Sequence, residues 1–213
     1  MALQFEIMPV TPFRQNCCLI WDDECKEAVL TDVGGDVAHV LQAVKERGLN
    51  LKEVWLTHGH LDHAGGVPDL WQTQQLPVAG PHADDAYLLE SLPEVTASYA
   101  AYGFPVSPSF VPTRCLEEGE RLTVGAYEFE VLHIPGHTPG HVVFYCAQAD
   151  LLVAGDVLFY ESIGRTDFPR GNHADLIGNI GAKLLVLPED TRVIPGHGRM
   201  TTIGHEKRHN PFL

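Results

Sequence analysis

The segment Thr57-His58-Gly59-His60-Leu61-Asp62-His63 puts three imidazoles and one carboxylate into six consecutive positions, 58–63. Imidazole nitrogens and carboxylate oxygens are good ligands for zinc and other borderline divalent metals. A loop that bends at Gly59 can aim His58 and His60 at one ion, while Asp62 and His63, at the start of the next helix, face a second. Four ligands do not close two sites. His137, in Pro135-Gly136-His137-Thr138-Pro139-Gly140-His141, sits in a loop that proline stiffens and glycine lets approach closely. Asp156 follows an apolar run and carries two oxygens, so it can bridge two ions as an imidazole cannot. His197 lies in Pro195-Gly196-His197-Gly198. The expected sets are His58, His60, His137 and Asp156 for one ion, and Asp62, His63, His197 and Asp156 for the other.

Two divalent ions roughly 3.5–4 Å apart lower the pKa of a shared water from near 16 towards about 7, which predicts a metal-bound hydroxide nucleophile at neutral pH. Asp62 is the expected catalytic carboxylate, orienting that hydroxide by accepting its hydrogen bond. The first ion would polarise a substrate carbonyl and stabilise the oxyanion. A thiol of pKa about 8.5 can leave as thiolate without a general acid. No residue is marked by the sequence to protonate an amine, so the chemistry favours a thioester over an amide. Zinc is the first expectation for the metal, and iron or manganese also suits these ligands.

Of the remaining histidines, His141 reads as a partner to the ligands, His133 as a strand residue, and His39, His82, His205 and His209 as surface or capping residues. The elements that must position the donors follow from periodicity. Strands are expected over 5–10, 17–21 and 28–32, then a helix over 37–47, a strand over 53–57, a helix over 64–75 and a strand over 77–79. Strands follow over 121–124, 127–134, 142–146 and 151–154, with a helix over 173–185 and a last strand over 191–194. Each ligand cluster comes directly after an apolar strand, so loops at strand ends can converge on one cleft.

Composition sets the frame. The chain has 213 residues, 45% hydrophobic and 20% charged, which fits a single globular domain over residues 1–213. No apolar run approaches the roughly 18 residues of a membrane span, and residues 1–8 lack the pattern of a secretory or transit signal. A cytoplasmic protein with no membrane partner is expected. The formal charge of −14 argues against nucleic acid. Residues 157–213 hold 7 basic and 6 acidic groups, against 7 and 22 in residues 1–156, so a small anionic substrate would look to the tail. Arg165, Arg170, Lys207 and Arg208 are the candidate contacts, with Tyr160 as a candidate pocket wall. Five cysteines without a CxxC pattern read as reduced thiols. The sequence specifies no oligomeric state.

The motifs THGHLDHAGG, PGHTPGH, AGD at 154–156 and PGHG at 195–198 resemble those of the metallo-β-lactamase superfamily. Within it, GRTDFPRG at 164–171 and RHNPFL at 208–213 are similar to short bacterial hydroxyacylglutathione hydrolases (glyoxalase II). The resemblance implies an α/β fold, a four-layer αββα sandwich, with a dinuclear site at its edge. It also implies hydrolysis of an S-(2-hydroxyacyl)glutathione such as S-D-lactoylglutathione. The alternatives are a mononuclear iron persulfide dioxygenase, a lactonase-like or β-lactamase-like hydrolase, and a metal-binding module without turnover. The flavin-linked diiron reductases fit less well, because His60 stands where their pattern has Glu.

Overall fold

The computed structural model describes residues 2–213. Strands β1 (Leu3–Val10), β2 (Gln15–Asp22) and β3 (Glu27–Thr31) form the expected antiparallel meander. Helix α1 (Val37–Glu46) then crosses to β4 (Asn50–Trp55), parallel to β3. After α2 (Leu61–Ala64) and α3 (Val67–Gln74), β5 (Val78–Ala79) adds parallel to β4 and completes a sheet ordered β1-β2-β3-β4-β5. Helices α4 (Ala86–Glu90) and α5 (Leu92–Ser98) follow.

The second sheet starts with the antiparallel run β6 (Arg121–Val124), β7 (Tyr127–His133), β8 (Val142–Cys146) and β9 (Leu151–Gly155). A hairpin, β10 (Leu158–Phe159) and β11 (Ser162–Ile163), leads to α6 (His173–Asn179) and a π-helical turn, Ile180–Leu184. Strand β12 (Arg192–Pro195) pairs parallel with β9, and β13 (Thr201–Thr202) and α7 (Ile203–His209) close the chain. The sheet order is β13-β12-β9-β8-β7-β6.

Strand alternation sorts the core into layers, because successive side chains point to opposite faces. From β2, Cys17 and Leu19 pack with Val40 and Val44 of α1 and Leu70 of α3. Their neighbours Cys18 and Ile20 join Trp55, Phe129 and Phe144 between the two sheets. From β9, Leu151 and Val153 share that central layer, while Leu152 and Ala154 pack with Leu176 of α6 and Ile203 of α7. The result is helix, sheet, sheet, helix, as the resemblance implied. Trp55 pins the middle, its ring 5.2 Å from Phe129 and 5.3 Å from Phe144.

Two expected helices differ. The helix expected over 64–75 starts earlier, at Leu61, and breaks at Gly65 and Gly66. A Cβ on Gly66 would lie 2.8 Å from the Val33 carbonyl oxygen and the Gly35 nitrogen, so the backbones touch there and α3 takes a new direction. The helix expected over 173–185 is capped by Asn172, whose side chain accepts from the Ala174 and Asp175 amides, and it widens into the π turn at Ile180. Helices α4, α5 and α7 were not expected from periodicity; all three are short.

Candidate metal centre

The donors stand where strands β4, β7, β9 and β12 end and the two sheets meet. Strand ends of parallel α/β units are the usual place for a ligand crevice. The Asn16 amide donates to the Gly196 carbonyl at 2.7 Å, and its side-chain nitrogen donates to the Pro195 and Gly198 carbonyls at 3.0 and 2.9 Å. The His197 loop of the second sheet is thereby tied to β2 of the first.

Nδ1 of His60 lies 3.0 Å from Nε2 of His58 and 3.0 Å from Nε2 of His137. The far side of each flanking ring fixes its tautomer. His137 Nδ1 donates to the Arg165 carbonyl at 2.7 Å. The Thr57 hydroxyl donates to Asp32 at 2.7 Å, so its oxygen accepts from His58 Nδ1 at 3.1 Å. The Nε2 atoms of His58 and His137 are therefore bare lone pairs turned towards His60. Burial and the neighbouring imidazoles hold His58 and His60 neutral, with the His60 pKa lowered to about 3; burial lowers that of His137 as well. Neutral imidazole is the metal-binding form.

A second group adjoins the first. His63 Nε2 lies 3.3 Å from Asp156 Oδ1 and 3.8 Å from Asp62 Oδ2. His197 Nε2 lies 3.1 Å from Asp62 Oδ2 and 3.7 Å from Asp156 Oδ2. That same Asp156 oxygen is 3.6 Å from His137 Nε2, so one carboxylate faces both groups. Burial works against charge on His63 and His197, but the surrounding carboxylates prevail and raise both pKa values. Burial likewise works against ionised Asp62 and Asp156, and the histidines, His63 foremost, outweigh it and lower both.

The donor set fits divalent metal. Tetrahedral coordination with bonds of about 2.0–2.1 Å puts neighbouring ligand atoms roughly 3.3 Å apart, which matches the 3.0–3.8 Å separations here. His63 Nε2 and Asp156 Oδ1 are buried without a hydrogen-bond partner, a costly arrangement unless a cation is shared between them. A Cβ on Gly196 would come within 2.1 Å of Asp156 Oδ1, so only glycine leaves this carboxylate its place. All seven expected ligands meet. His82, Asp84 and His133 also come together. There, however, His82 Nδ1 takes the Asp84 amide, His82 Nε2 faces Glu117, and His133 Nε2 faces the Pro139 carbonyl.

One buried group behind the donors had not been singled out. Asp32 accepts from the Thr57 amide and hydroxyl and from His63 Nδ1. It follows the apolar strand β3 directly, the same signal that marked Asp156. His141 behaves as the expected partner: its Nε2 accepts from the Asp156 amide at 3.0 Å, and its ring stacks on His58 at 4.7 Å.

Residues 10–197 match the metallo-beta-lactamase superfamily. This chain belongs to that superfamily. It is 49% identical to the hydroxyacylglutathione hydrolase GloC of Haemophilus influenzae, over 99% of this chain and 98% of the relative. Among solved structures it is similar to the B3 metallo-beta-lactamase BLEG-1, with TM-score 0.89, 39% identity, and coverage of 98% of this chain and 99% of the other. The protein TTHA1623, solved in a di-iron-bound form, gives TM-score 0.86 and 38% identity, with coverage of 98% and 100%. The family match and the near-full-length relative named as a hydrolase together identify the chain as a metal-dependent hydrolase. No helix among the described residues is long and apolar enough to cross a membrane.

In this superfamily member His60, Asp62, His137, Asp156 and His197 form one wall of a cavity of about 620 Å³, faced by Phe13, Leu61, Leu88, Val95, Phe159 and Phe168. The Phe168 ring packs 4.8 Å from that of His60 and 5.6 Å from that of His137. Of the candidate substrate contacts, Arg165 lines the cavity, with its guanidinium 4.5 Å from the Phe168 centroid. Arg170 lies over Tyr87, a lining residue, and donates to the Asp84 carbonyl. Tyr160 is outside the lining, stacked on His205 with Arg199 over its ring. Lys207 and Arg208 are on α7, facing Glu189 at 4.0 and 2.6 Å and outside the lining.

Proposed function

We propose that this chain hydrolyses a glutathione thioester, S-(2-hydroxyacyl)glutathione of the S-D-lactoylglutathione type, with two divalent ions, zinc first, held by His58, His60, Asp62, His63, His137, Asp156 and His197. The observation that carries the reading is Asp156, one carboxylate facing both donor groups beside an otherwise largely apolar cavity. The relative named as a hydroxyacylglutathione hydrolase supports the substrate class.

When bound, such ions lower the pKa of water and polarise a carbonyl. The protein's own part is positional. Asp62, ionised and held near His197, orients the attacking oxygen by accepting its hydrogen bond. His58, His60 and His137 stay neutral. Phe159 and Phe168 exclude bulk water from the acyl carbon, and Arg165 meets a glutathione carboxylate at the mouth. Among the described residues of the lining, Tyr87 and Ser91 donate to backbone carbonyls and Arg165 pairs with Asp167.

The likeness to a B3 metallo-beta-lactamase favours one competing reading, hydrolysis of a β-lactam at the same centre. Thiol release from S-D-lactoylglutathione, measured beside a cephalosporin and a lactone, separates the two. The thioester should be preferred by roughly 100-fold or more in kcat/KM, because a β-lactam nitrogen must be protonated as it leaves and a thiolate need not be, and general acid assistance is worth about that much. Preference for the cephalosporin would replace this reading with the other.

A further inference from the structure

The turn between β5 and α4 supplies no donor to the metal centre, yet it carries Asp85, a carboxylate with no exposed surface. A buried carboxylate is unfavourable unless its oxygens are satisfied. Every hydrogen bond to this one comes from the two loops that hold the three-nitrogen group. Asp85 Oδ2 accepts from the Gly59 amide at 3.1 Å and from the Thr138 hydroxyl at 2.7 Å. Asp85 Oδ1 accepts from the Gly140 amide at 2.6 Å. Gly59 lies between His58 and His60, and Thr138 follows His137.

Packing repeats the pattern. The His82 amide at the start of the turn donates to the Gly140 carbonyl at 3.1 Å. A Cβ on Gly140 would come within 2.6 Å of the Asp85 nitrogen and 2.7 Å of its carboxyl carbon. A Cβ on Gly59 would come within 2.8 Å of Leu88 Cβ. Both loops need glycine where this turn and α4 press on them. Two and three residues beyond Asp85, Tyr87 and Leu88 enter the cavity wall.

We propose that Asp85 is a positioning residue that clamps the 58–60 loop and the 136–140 loop together and so sets the spacing of the His58, His60 and His137 nitrogens. It touches neither metal nor substrate. The chemistry calls for a carboxylate, because two oxygens must both accept. In Asp85→Asn one oxygen becomes an NH2 group aimed at an amide N–H, which leaves a backbone donor of one loop unpaired whichever way the side chain turns. The assignment rests on the two-ion reading of the centre and is independent of the thioester.

The test is zinc affinity of the full chain, measured by competition with a chromogenic chelator, together with deuterium exchange at the Gly59 and Gly140 amides of the metal-free protein. Asp85→Asn should weaken one of two bound zinc ions by about 10–100-fold, leave the other unchanged, and speed exchange at one or both amides. Thr138→Val, which removes one of the three donors, should weaken the same ion by less. Asp84→Asn, on the exposed side of the turn, should change neither ion. The wild-type titration reads the metal centre itself, and the difference between variants reads Asp85. A merely structural carboxylate would lower the Tm of Asp85→Asn with both zinc affinities intact, and that result overturns the proposal. Where Asp85→Asn does not fold, unchanged zinc affinity in Thr138→Val overturns it equally.

Discussion

Oδ2 of Asp32 lies 3.0 Å from Nδ1 of His63, on the opposite side of the ring from Nε2 and its carboxylate neighbours. The same oxygen accepts from the Thr57 hydroxyl, which accepts in turn from His58. One buried carboxylate thus orients a histidine in each donor group.

Asp32→Ala should therefore weaken metal binding by about 10–100-fold, the usual effect of removing a carboxylate behind a ligating histidine. It should also cost about 1–3 kcal/mol of stability in the metal-free protein, since the buried Thr57 amide and His63 Nδ1 would lose their acceptor. Chelator competition and urea unfolding measure the two effects.

Asp62 has a separate role. Asp62→Asn keeps the size of the side chain but removes its charge and one of the two oxygens that can orient the nucleophile. Hydrolysis should fall by about 10²–10⁴-fold with the circular dichroism spectrum unchanged. Unaltered turnover would remove Asp62 from the chemistry.

The cationic candidates divide by place. Both are ion-paired, Arg165 with Asp167 and Arg208, on α7, with Glu189, but only Arg165 lines the cavity. Arg165→Ala should raise KM for a glutathione thioester by roughly 10-fold or more, the worth of a charged hydrogen bond, with kcat nearly kept. Arg208→Ala should leave both constants at their wild-type values. Steady-state kinetics on the two variants settles the difference.

The buried histidines fix the acid limb of stability. Folding lowers the pKa of His58, His60, His137 and His141, chiefly by burial, and His60 falls to about 3. Between about pH 6.5 and 3 the unfolded chain binds protons that these folded side chains do not, so stability rises with pH across that window. His63 and His197 are raised, so their contribution is fully present below about pH 6.5 and does not offset this slope. The metal-free protein should lose stability steadily as pH falls from about 6.5, as urea midpoints at successive pH values would register.

The convergence of the seven candidate donors was legible because metal binding restricts residue type and clusters such side chains: His58 to His63 share one loop and helix start, and Asp156 and His197 each follow an apolar strand. The strands of both sheets were legible from their apolar runs. Asp85 gave no such signal. It lies among surface-like residues in a turn, and its burial follows only from the approach of Gly59 and Gly140, which are far from it in sequence. The break between α2 and α3 was hidden for a similar reason, since the contact of Gly66 with Val33 and Gly35 is tertiary. Charge balance drew attention to Lys207 and Arg208, but composition does not say which cations face the cavity.

The most direct measurement is thiol release from S-D-lactoylglutathione while metal-free protein is titrated with zinc. Activity should be absent at the start, rise with added zinc, and reach a plateau at two equivalents per chain. Thiol release that is undiminished without metal, or absent at every zinc loading, would contradict the account.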